Sequence, residues 1–242
     1  LSMKRIFDLT FSIIGLIILS IPLLILMFII WISDFYYPIY ISYRVGINGE
    51  KFKMFKLRSM IPNADKSGVN STSSDDDRIT WIGKIIRKYK LDEGMQLLNV
   101  FFGDMSFVGP RPNVIEETMT YTEKEKMLFN VKPGITDFSS IVFSDEGEIL
   151  EGSNDPDLDY NQLIRPWKSR LGIIYIENQT FKLDINIILY TLIALISKRV
   201  SLNWICGKLD EYNVSTRLIS VASRRDILYP YPPPGSAEII GK

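Results

Sequence analysis

The sequence predicts a mostly helical α+β protein, with an N-terminal re-entrant membrane helix, a small β-hairpin and amphipathic membrane-surface helices around a compact domain. Three observations predict this class. Residues 9–33 form an uncharged apolar run, residues 40–44 and 52–58 are short stretches rich in aromatic and β-branched side chains, and residues 78–100 carry apolar side chains at helical spacing. A chain of 242 residues can bury a sizeable core. We divide it into a membrane segment at 1–36, a main domain at 37–200 and a C-terminal extension at 201–242.

The apolar run at residues 9–33 exceeds the roughly 20 residues that one bilayer crossing needs, and no small-residue cleavage site follows it. A fully buried soluble helix is the alternative. Pro22, two residues after Ser20, should bend the helix, and the Ser20 hydroxyl can bond a freed backbone carbonyl. Basic residues flank the run on both sides, with Lys4 and Arg5 before it and Arg44 among those after it. Because positive charge marks the cytoplasmic side, we expect a helix-break-helix that enters and leaves by one face, in preference to a simple crossing.

The two short stretches at residues 40–44 and 52–58 predict a β-hairpin, because they flank Asn48-Gly49, the preferred dipeptide of a tight hairpin turn. Lys56 and Arg58 are two residues apart on the second strand, so they should point to one face. A solvated basic face is the alternative to a functional one. Residues 65–77 are rich in Ser, Asn, Asp and Gly, which predicts a flexible loop.

The helical pattern at residues 78–100 contains an adjacent pair of acids, Asp92-Glu93, shortly after the basic residue Arg87. A second basic residue, Arg111, stands between two prolines that stiffen its loop. A guanidinium held in this way suits bidentate phosphate binding. The alternative is that the acids only pair with basic neighbours on the helix surface.

The remaining segments carry weaker signals. Residues 145–159 hold seven acidic residues and no basic one, which predicts an exposed acidic loop. Residues 183–196 are apolar but too short to span a bilayer, so they form a core or membrane-surface helix. The proline-rich segment at 229–234 favours extended geometry and is typical of a linker, a docking arm or a mobile tail.

Composition limits the chemistry. The chain has no histidine and one cysteine, Cys206, which excludes Ser-His-Asp and Cys-His catalysis, imidazole bases and four-ligand zinc sites. Its 28 basic and 28 acidic side chains balance, which argues against a protein that coats nucleic acid. Cations beside acids indicate an anionic substrate with a divalent cation. Mg²⁺ fits, since it prefers oxygen ligands and phosphates, and a carboxylate can also attack phosphorus.

Six motifs, in order over roughly residues 3–200, resemble those of the bacterial sugar transferases, the monotopic polyprenyl-phosphate phosphoglycosyl transferases. The motifs are Lys4-Arg5-Ile6-Phe7-Asp8, Arg44-Val45-Gly46 with Asn48-Gly49, Phe52-Lys53 with Phe55-Lys56 and Arg58-Ser59-Met60, Leu91-Asp92-Glu93 with Gln96-Leu97 and Asn99-Val100, Gly103-Asp104-Met105-Ser106 with Val108-Gly109-Pro110-Arg111-Pro112, and Lys132-Pro133-Gly134-Ile135-Thr136.

The resemblance implies an enzyme that moves a sugar-1-phosphate from a UDP-sugar to undecaprenyl phosphate and releases UMP. This is the first membrane step in the biosynthesis of glycoconjugates such as exopolysaccharide, O-antigen and capsule. The enzyme would act at the cytoplasmic face of the bacterial inner membrane, in contact with membrane lipid. A homodimer and later glycosyltransferases of the pathway are the further partners expected.

The resemblance also implies roles for individual residues. Asp92 matches the nucleophile that forms a covalent phosphosugar intermediate, and Glu93 completes an Asp-Glu dyad that works with Mg²⁺. Four residues match basic positions that bind phosphates or order the active site, namely Lys56, Arg58, Arg87 and Arg111. Ser20 and Pro22 match the helix breaker.

Three departures from the family pattern are visible. Gly94-Met95 follow the dyad where the family usually has proline, the helix breaker reads Ser-Ile-Pro, and residues 137–148 lack the usual Gly-x-x-Gln-Val-x-Gly pattern. The last departure makes donor specificity the least transferable property. Two other functions stay open, namely a catalytically silent membrane scaffold that binds anionic lipid and a phosphatase or pyrophosphatase acting on lipid phosphates.

Overall fold

The computed structural model of the chain describes residues 2–241. Eleven α-helices in this range surround two small sheets, and 57% of the described residues are helical, which confirms the predicted mostly helical α+β class. The α-helices are α1 Met3–Asp34, α2 Trp81–Lys88, α3 Gln96–Phe102, α4 Ile115–Thr118, α5 Phe138–Val142, α6 Glu146–Ile149, α7 Pro156–Asp159, α8 Arg165–Glu177, α9 Phe181–Ala194, α10 Lys198–Glu211 and α11 Thr216–Ser223. The strands are β1 Ile39–Val45, β2 Lys51–Leu57, β3 Ser106–Val108 and β4 Gly134–Thr136.

Helix α1 has 32 residues and is about 48 Å long at roughly 1.5 Å per residue. Within residues 2–241 it is the one helix long and apolar enough to cross a membrane, and most of its side chains face outward. The predicted division into two helices is not present, because helical structure continues through Pro22. Pro22 leaves the carbonyl of Ile18 without its helical N–H partner, and the Ser20 hydroxyl donates instead to the neighbouring carbonyl of Ile17 at 2.7 Å.

Both ends of α1 are tied to the same globular body. At its N-terminal end the ammonium of Lys4 lies 2.7 Å from the carboxylate of Asp184 in α9. At its C-terminal end the carboxylate of Asp34 lies 2.6 Å from the guanidinium of Arg58, just after β2. Between them, Leu23 of α1 is buried among apolar side chains of the body. The helix therefore lies along the body over its whole length.

The predicted hairpin is confirmed. Strands β1 and β2 pair antiparallel, with Tyr40 opposite Lys56 and Ser42 opposite Met54. The turn contains Asn48 and Gly49 with φ of 56° and 76°, the left-handed geometry that this dipeptide adopts readily. Met54 is buried against α3, so this face of the hairpin, which also carries Lys56, points inward.

The main core lies between helices α5, α8, α9, α10 and α11. Leu183 and Ile187 of α9 are buried in it, whereas Leu192 and Leu195 at the end of the apolar segment are exposed, so only the first half of this segment belongs to the core. Helix α10 runs through the boundary placed after residue 200, and residues beyond that boundary pack into the same core.

The predicted acidic loop needs correction, and the structure decides between the alternatives given for the tail. The acidic segment 145–159 is not a free loop: it contains α6 and α7, and Asp157 of α7 accepts the backbone N–H groups of Asn70 and Ser71 from the polar loop 65–77. Of the linker, docking arm and mobile tail predicted for the C-terminal segment, the structure shows a docked arm, because the Tyr231 ring stacks on Trp167 with centroids 4.4 Å apart. The density of acidic residues alone does not reveal the tertiary contacts of the segment at 145–159.

Candidate functional site

The acidic pair lies where the predicted 78–100 helix is interrupted. Lys90 adopts a left-handed conformation with φ 53° after α2, and a 3-10 turn at Leu91–Met95 leads into α3. This turn presents Asp92 and Glu93 side by side. Gly94 allows the turn to lie against α1, because a Cβ there would stand 3.3 Å from the Leu23 side chain. The glycine that departs from the family pattern thus lies at a close contact with α1.

Asp92 is a buried carboxylate with open oxygens. Its residue is 9% exposed, and its side chain accepts no hydrogen bond from residues 2–241. The nearest cation is the Lys56 ammonium on β2, at 3.9 Å. A carboxylate that is shielded from water but not engaged by a donor is available to attack a substrate or to bind a metal.

Glu93, in contrast, is firmly held. One carboxylate oxygen accepts the Arg111 guanidinium at 2.5 Å. Burial raises the pKa of Glu93. The charges of Arg111 and Lys56, together with this hydrogen bond, lower it by more than burial raises it, and the resulting pKa is about 2. Glu93 is therefore ionised over the physiological range. Its other oxygen makes no hydrogen bond in the part of the chain described here.

The surroundings of the pair are strongly cationic. Burial, reinforced by repulsion from Arg111, lowers the pKa of Lys56 to about 8, while the two acids oppose the shift. Burial also lowers the pKa of Arg87, and Asp92 is the acid that opposes this most. The Arg87 Nη1 atom is buried without a hydrogen-bond partner among residues 2–241. An anionic group entering beside Asp92 would satisfy it.

Arg58 is placed differently from the other predicted cations. Its guanidinium forms two bonds of 2.6 Å with Asp34, and its remaining N–H groups are donated to the carbonyls of Tyr36, Tyr37 and Met60. All five N–H groups are occupied. Of the two roles predicted for it, this geometry favours ordering the structure near the site over binding a phosphate.

The carboxylates fit a magnesium site. Both oxygens of Asp92 and one of Glu93 are open, which supplies hard oxygen ligands from two adjacent residues. Mg²⁺ is usually bound by one or two carboxylates together with substrate phosphates and waters. Within residues 2–241 there is no cluster of three or more His, Cys, Asp or Glu side chains that could hold a metal ion. These described residues therefore contain no metal site built from protein ligands alone.

Comparison with known proteins agrees with this geometry. The sequence profile of the family described as bacterial sugar transferase matches residues 1–198. The chain belongs to the bacterial sugar transferase family. The resemblance drawn from the ordered motifs is thereby confirmed.

Several relatives of this bacterial sugar transferase are known by name. It is 33% identical over 189 residues to an uncharacterized sugar transferase of Bacillus subtilis, EpsL, which covers 78% of this chain and 85% of the relative. It is 35% identical over 204 residues to the undecaprenyl-phosphate galactose phosphotransferase of Salmonella typhimurium, covering 78% of this chain and 41% of that protein. It is 33% identical over 188 residues to the UDP-glucose:undecaprenyl-phosphate glucose-1-phosphate transferase of Klebsiella pneumoniae, with 76% and 40% covered. The chain thus spans most of EpsL and less than half of the other two.

Sequence reasoning missed part of the charged surroundings of the sugar transferase site. Glu146 of α6, in the segment predicted as an exposed acidic loop, forms an ion pair with Lys168 of α8. Burial raises the pKa of Glu146, but Lys168 and, more weakly, Arg111 bring it below its usual value. Lys168 and Arg111 line one small pocket, and Arg111 is paired with Glu93, so the Glu146–Lys168 pair lies near the dyad. No local pattern could have indicated it, because the two residues are far apart in the sequence.

The predicted helix breaker lies close to the dyad. Leu19 and Leu23, which bracket the segment from Ser20 to Pro22, are the residues that contact Gly94. The middle of helix α1 in this sugar transferase therefore packs next to the turn that carries Asp92 and Glu93.

Proposed function

We propose that this protein transfers a sugar-1-phosphate from a UDP-sugar to undecaprenyl phosphate and releases UMP, as a membrane step of glycoconjugate biosynthesis such as exopolysaccharide or capsule formation. The observation that carries the proposal is the open Asp92 carboxylate beside three cations, Lys56, Arg87 and Arg111. The names of relatives from Salmonella typhimurium and Klebsiella pneumoniae, which state transfer of galactose and glucose phosphate to undecaprenyl phosphate, support it.

The reaction would proceed by two displacements at one phosphorus. An Asp92 oxygen attacks the sugar-bearing phosphorus of the UDP-sugar, an Asp92–phosphorus bond forms, and the bond to the bridging oxygen breaks so that UMP leaves with that oxygen. A phosphate oxygen of undecaprenyl phosphate then attacks the same phosphorus and displaces Asp92. The product is an undecaprenyl diphosphate sugar, the carboxylate is regenerated, and ping-pong kinetics are expected.

The neighbouring residues would make attack between two anions feasible. Lys56 and Arg87 offer positive charge beside Asp92, and the buried, unpartnered Nη1 of Arg87 can donate to a phosphate oxygen. Arg111 holds Glu93 in its ionised form. Asp92 and Glu93 would hold Mg²⁺, which when bound supplies further charge neutralisation at the diphosphate.

We also propose that the protein is monotopic at the cytoplasmic face of the inner membrane. Both ends of α1 are ion-paired to one globular body, through Lys4–Asp184 and Asp34–Arg58. A straight crossing would separate those ends by the roughly 30 Å hydrocarbon core. Because both ends are held by the same body, the contacts favour an arrangement with both ends on one side of the membrane over a simple crossing.

UMP release is the experiment that tests the function. Purified protein with Mg²⁺ and undecaprenyl phosphate is given UDP-glucose, UDP-galactose and UDP-N-acetylgalactosamine, and UMP is measured. Asp92→Asn should abolish release, whereas Asp77→Asn, which removes an exposed carboxylate in the polar loop, should leave it unchanged. Near-normal release by folded Asp92→Asn would refute the nucleophile.

The competing functions predict other outcomes. Folded wild-type protein that releases no UMP with any of these donors would favour the lipid-binding scaffold. Inorganic phosphate release from undecaprenyl phosphate without any UDP-sugar would favour the phosphatase. A UDP-sugar-dependent covalent adduct on Asp92, seen by mass spectrometry, would exclude both.

A further inference from the structure

The first residue of α3, Gln96, carries a buried amide with an unused donor. The residue is 1% exposed, and its Nε2 atom is buried without a hydrogen-bond partner among residues 2–241. A buried donor that stays unpaired costs free energy, and folded proteins contain few of them. The unpaired nitrogen of Gln96 therefore needs an explanation.

A second amide on the same helix, Asn99, shows how an amide stabilises this part of the fold. Asn99 is 0% exposed. Its Oδ1 accepts the backbone N–H of Phe55 at 3.0 Å, and its Nδ2 donates to the carbonyl of Lys53 at 2.6 Å. Both ends of the Asn99 amide thus hold α3 against β2. The Nε2 of Gln96 makes no such bond, so this nitrogen does not hold the fold together.

Helical spacing places Gln96 on the surface of the segment that carries the dyad. The 3-10 turn Leu91–Met95 continues directly into α3, since Met95 and Gln96 both have right-handed helical backbone angles. Side chains three and four residues apart in such a segment are neighbours. Gln96 stands three residues after Glu93 and four after Asp92, so its unpartnered nitrogen is a neighbour of both carboxylates.

The chemistry of an amide suits this position. A lysine or arginine three or four residues from the acids would pair with them and would occupy the carboxylate oxygens that are now open. An amide carries no charge and leaves Asp92 free, yet it still offers N–H groups to an anionic oxygen.

Gln96 is not the only unused donor near Asp92. The Nη1 atom of Arg87 is also buried without a partner among the described residues. Two unused donors beside an open carboxylate match the needs of a phosphoryl group, because charge is spread over its non-bridging oxygens during transfer.

We propose that Gln96 is a catalytic hydrogen-bond donor, whose Nε2 donates to a non-bridging oxygen of the phosphoryl group that is transferred to and from Asp92. The inference rests on the proposed function, because that reaction brings the phosphorus to within bonding distance of Asp92. Both displacements occur at the same phosphorus, so the same hydrogen bond serves both.

Gln96→Met tests the proposal, because methionine has a similar volume and no donor. Loss of one donor to the transition state should lower kcat about 100-fold, while KM for the UDP-sugar should change by about threefold or less. The matched control is Gln162→Met, which removes an amide that donates to the carbonyl of Ile240 in the tail at 2.7 Å. This control should leave both constants unchanged.

Thermal unfolding separates a catalytic role from a structural one. Gln96→Met replaces an unpaired buried donor by an apolar group of similar size, so its Tm should not fall. Asn99→Leu is the structural reference, because it breaks the hydrogen bonds of Asn99 to β2, and its Tm should fall.

A sulfur-substituted donor locates the hydrogen bond. The probe is a UDP-sugar with sulfur in place of one non-bridging oxygen on the sugar-bearing phosphorus, used as separate diastereomers. Sulfur accepts hydrogen bonds weakly. For one diastereomer the substitution should therefore slow the wild-type protein more than it slows Gln96→Met, because the variant has already lost the bond.

Gln96→Glu is a second variant, which keeps the shape of the side chain. A carboxyl group can donate a hydrogen bond only when it is protonated. The rate of this variant relative to that of the wild type should therefore rise as the pH is lowered, and a ratio that does not change with pH would count against the proposal.

The remaining outcomes distinguish this inference from the proposed function. Folded Gln96→Met with the kcat of the wild type would overturn the role of Gln96 and leave the transferase intact. A lower kcat together with a lower Tm and an unchanged effect of sulfur would show a structural role, which also overturns the inference. A wild-type protein that releases no UMP with any UDP-sugar would instead refute the proposed function itself.

Discussion

The ion pair between Asp34 and Arg58 should determine both the stability of the protein and the position of the active site. The pair is bidentate, with two contacts of 2.6 Å, and the side chains are 28% and 9% exposed. It joins the last residue of α1 to the residue that follows β2, and β2 carries Lys56 beside Asp92. Asp34→Asn can keep one acceptor for the guanidinium but not the paired charge.

The magnitude follows from the burial. An exposed ion pair contributes at most about 1 kcal/mol, and leaving a fully buried charge without its partner costs about 3–5 kcal/mol. The Arg58 side chain is nearly buried and that of Asp34 is partly exposed, so we expect a loss of about 2 kcal/mol. For a chain of 242 residues this lowers Tm by about 4–8 °C.

The assay is a double-mutant cycle in detergent, with thermal unfolding and UMP release measured for Asp34→Asn, Arg58→Gln and the double variant. Because both single variants break the same ion pair, the double variant should be only slightly less stable than either single variant. Glu123→Gln is the control, since its pair with Lys126 is exposed and should contribute little.

A different pattern would refute this reasoning. If Arg58→Gln raised KM for the UDP-sugar while Asp34→Asn behaved as wild type in both assays, Arg58 would be acting on a phosphate. The ordering role assigned from its five occupied N–H groups would then be wrong.

Three further predictions concern topology, pH and the tail. In a Cys206→Ser background, cysteines placed at Met3 and at Tyr36, both exposed at the ends of α1, should react with an impermeant maleimide from the cytoplasmic side only; labelling from opposite sides would exclude the re-entrant arrangement. Burial raises the pKa of Glu117 from 4.5 to about 7 in the folded chain, so the unfolded chain loses this proton at a lower pH and the stability of the fold falls as the pH rises from 4.5 to 7. Glu117→Gln, which removes the titrating group, should therefore raise Tm at pH 8 but not at pH 4, as thermal scans at both pH values would show. Tyr231→Ala should release the tail, measured as faster cleavage after α11 in limited proteolysis, and an unchanged cleavage rate would show that stacking does not hold it.

The parts of the fold that depend on local signals were predicted from the sequence. The uncharged run at 9–33 became α1, and Asn48-Gly49 became the hairpin turn. The position of Lys56 beside the dyad followed from the family motifs, and the structure confirms that the two meet. The helix and the hairpin turn are each encoded within a few neighbouring residues, as periodicity or as a turn that requires positive φ.

The remaining features depend on contacts between distant segments. Pro22 predicted a break in the first helix. The structure shows an unbroken helix instead, which packs against the body. The acidic stretch at 145–159 looked solvated, yet Asp145 pairs with Lys198 and Arg224, far along the chain. Single-sequence patterns report composition and period, not the partner that a charged side chain will find in the folded state.

The position of the dyad links the membrane helix to the chemistry more closely than an anchor requires. An anchor needs only apolar length, but α1 contributes Leu19 and Leu23 to the contact with Gly94, one residue after Glu93. Its two ends are also fixed by ion pairs to α9 and to the segment after β2. The turn that carries Asp92 therefore packs against the same helix whose apolar side chains face outward. In the proposed reaction this would place the nucleophile at the depth of a lipid phosphate, because the helix that determines immersion and the turn that carries the carboxylate cannot move independently.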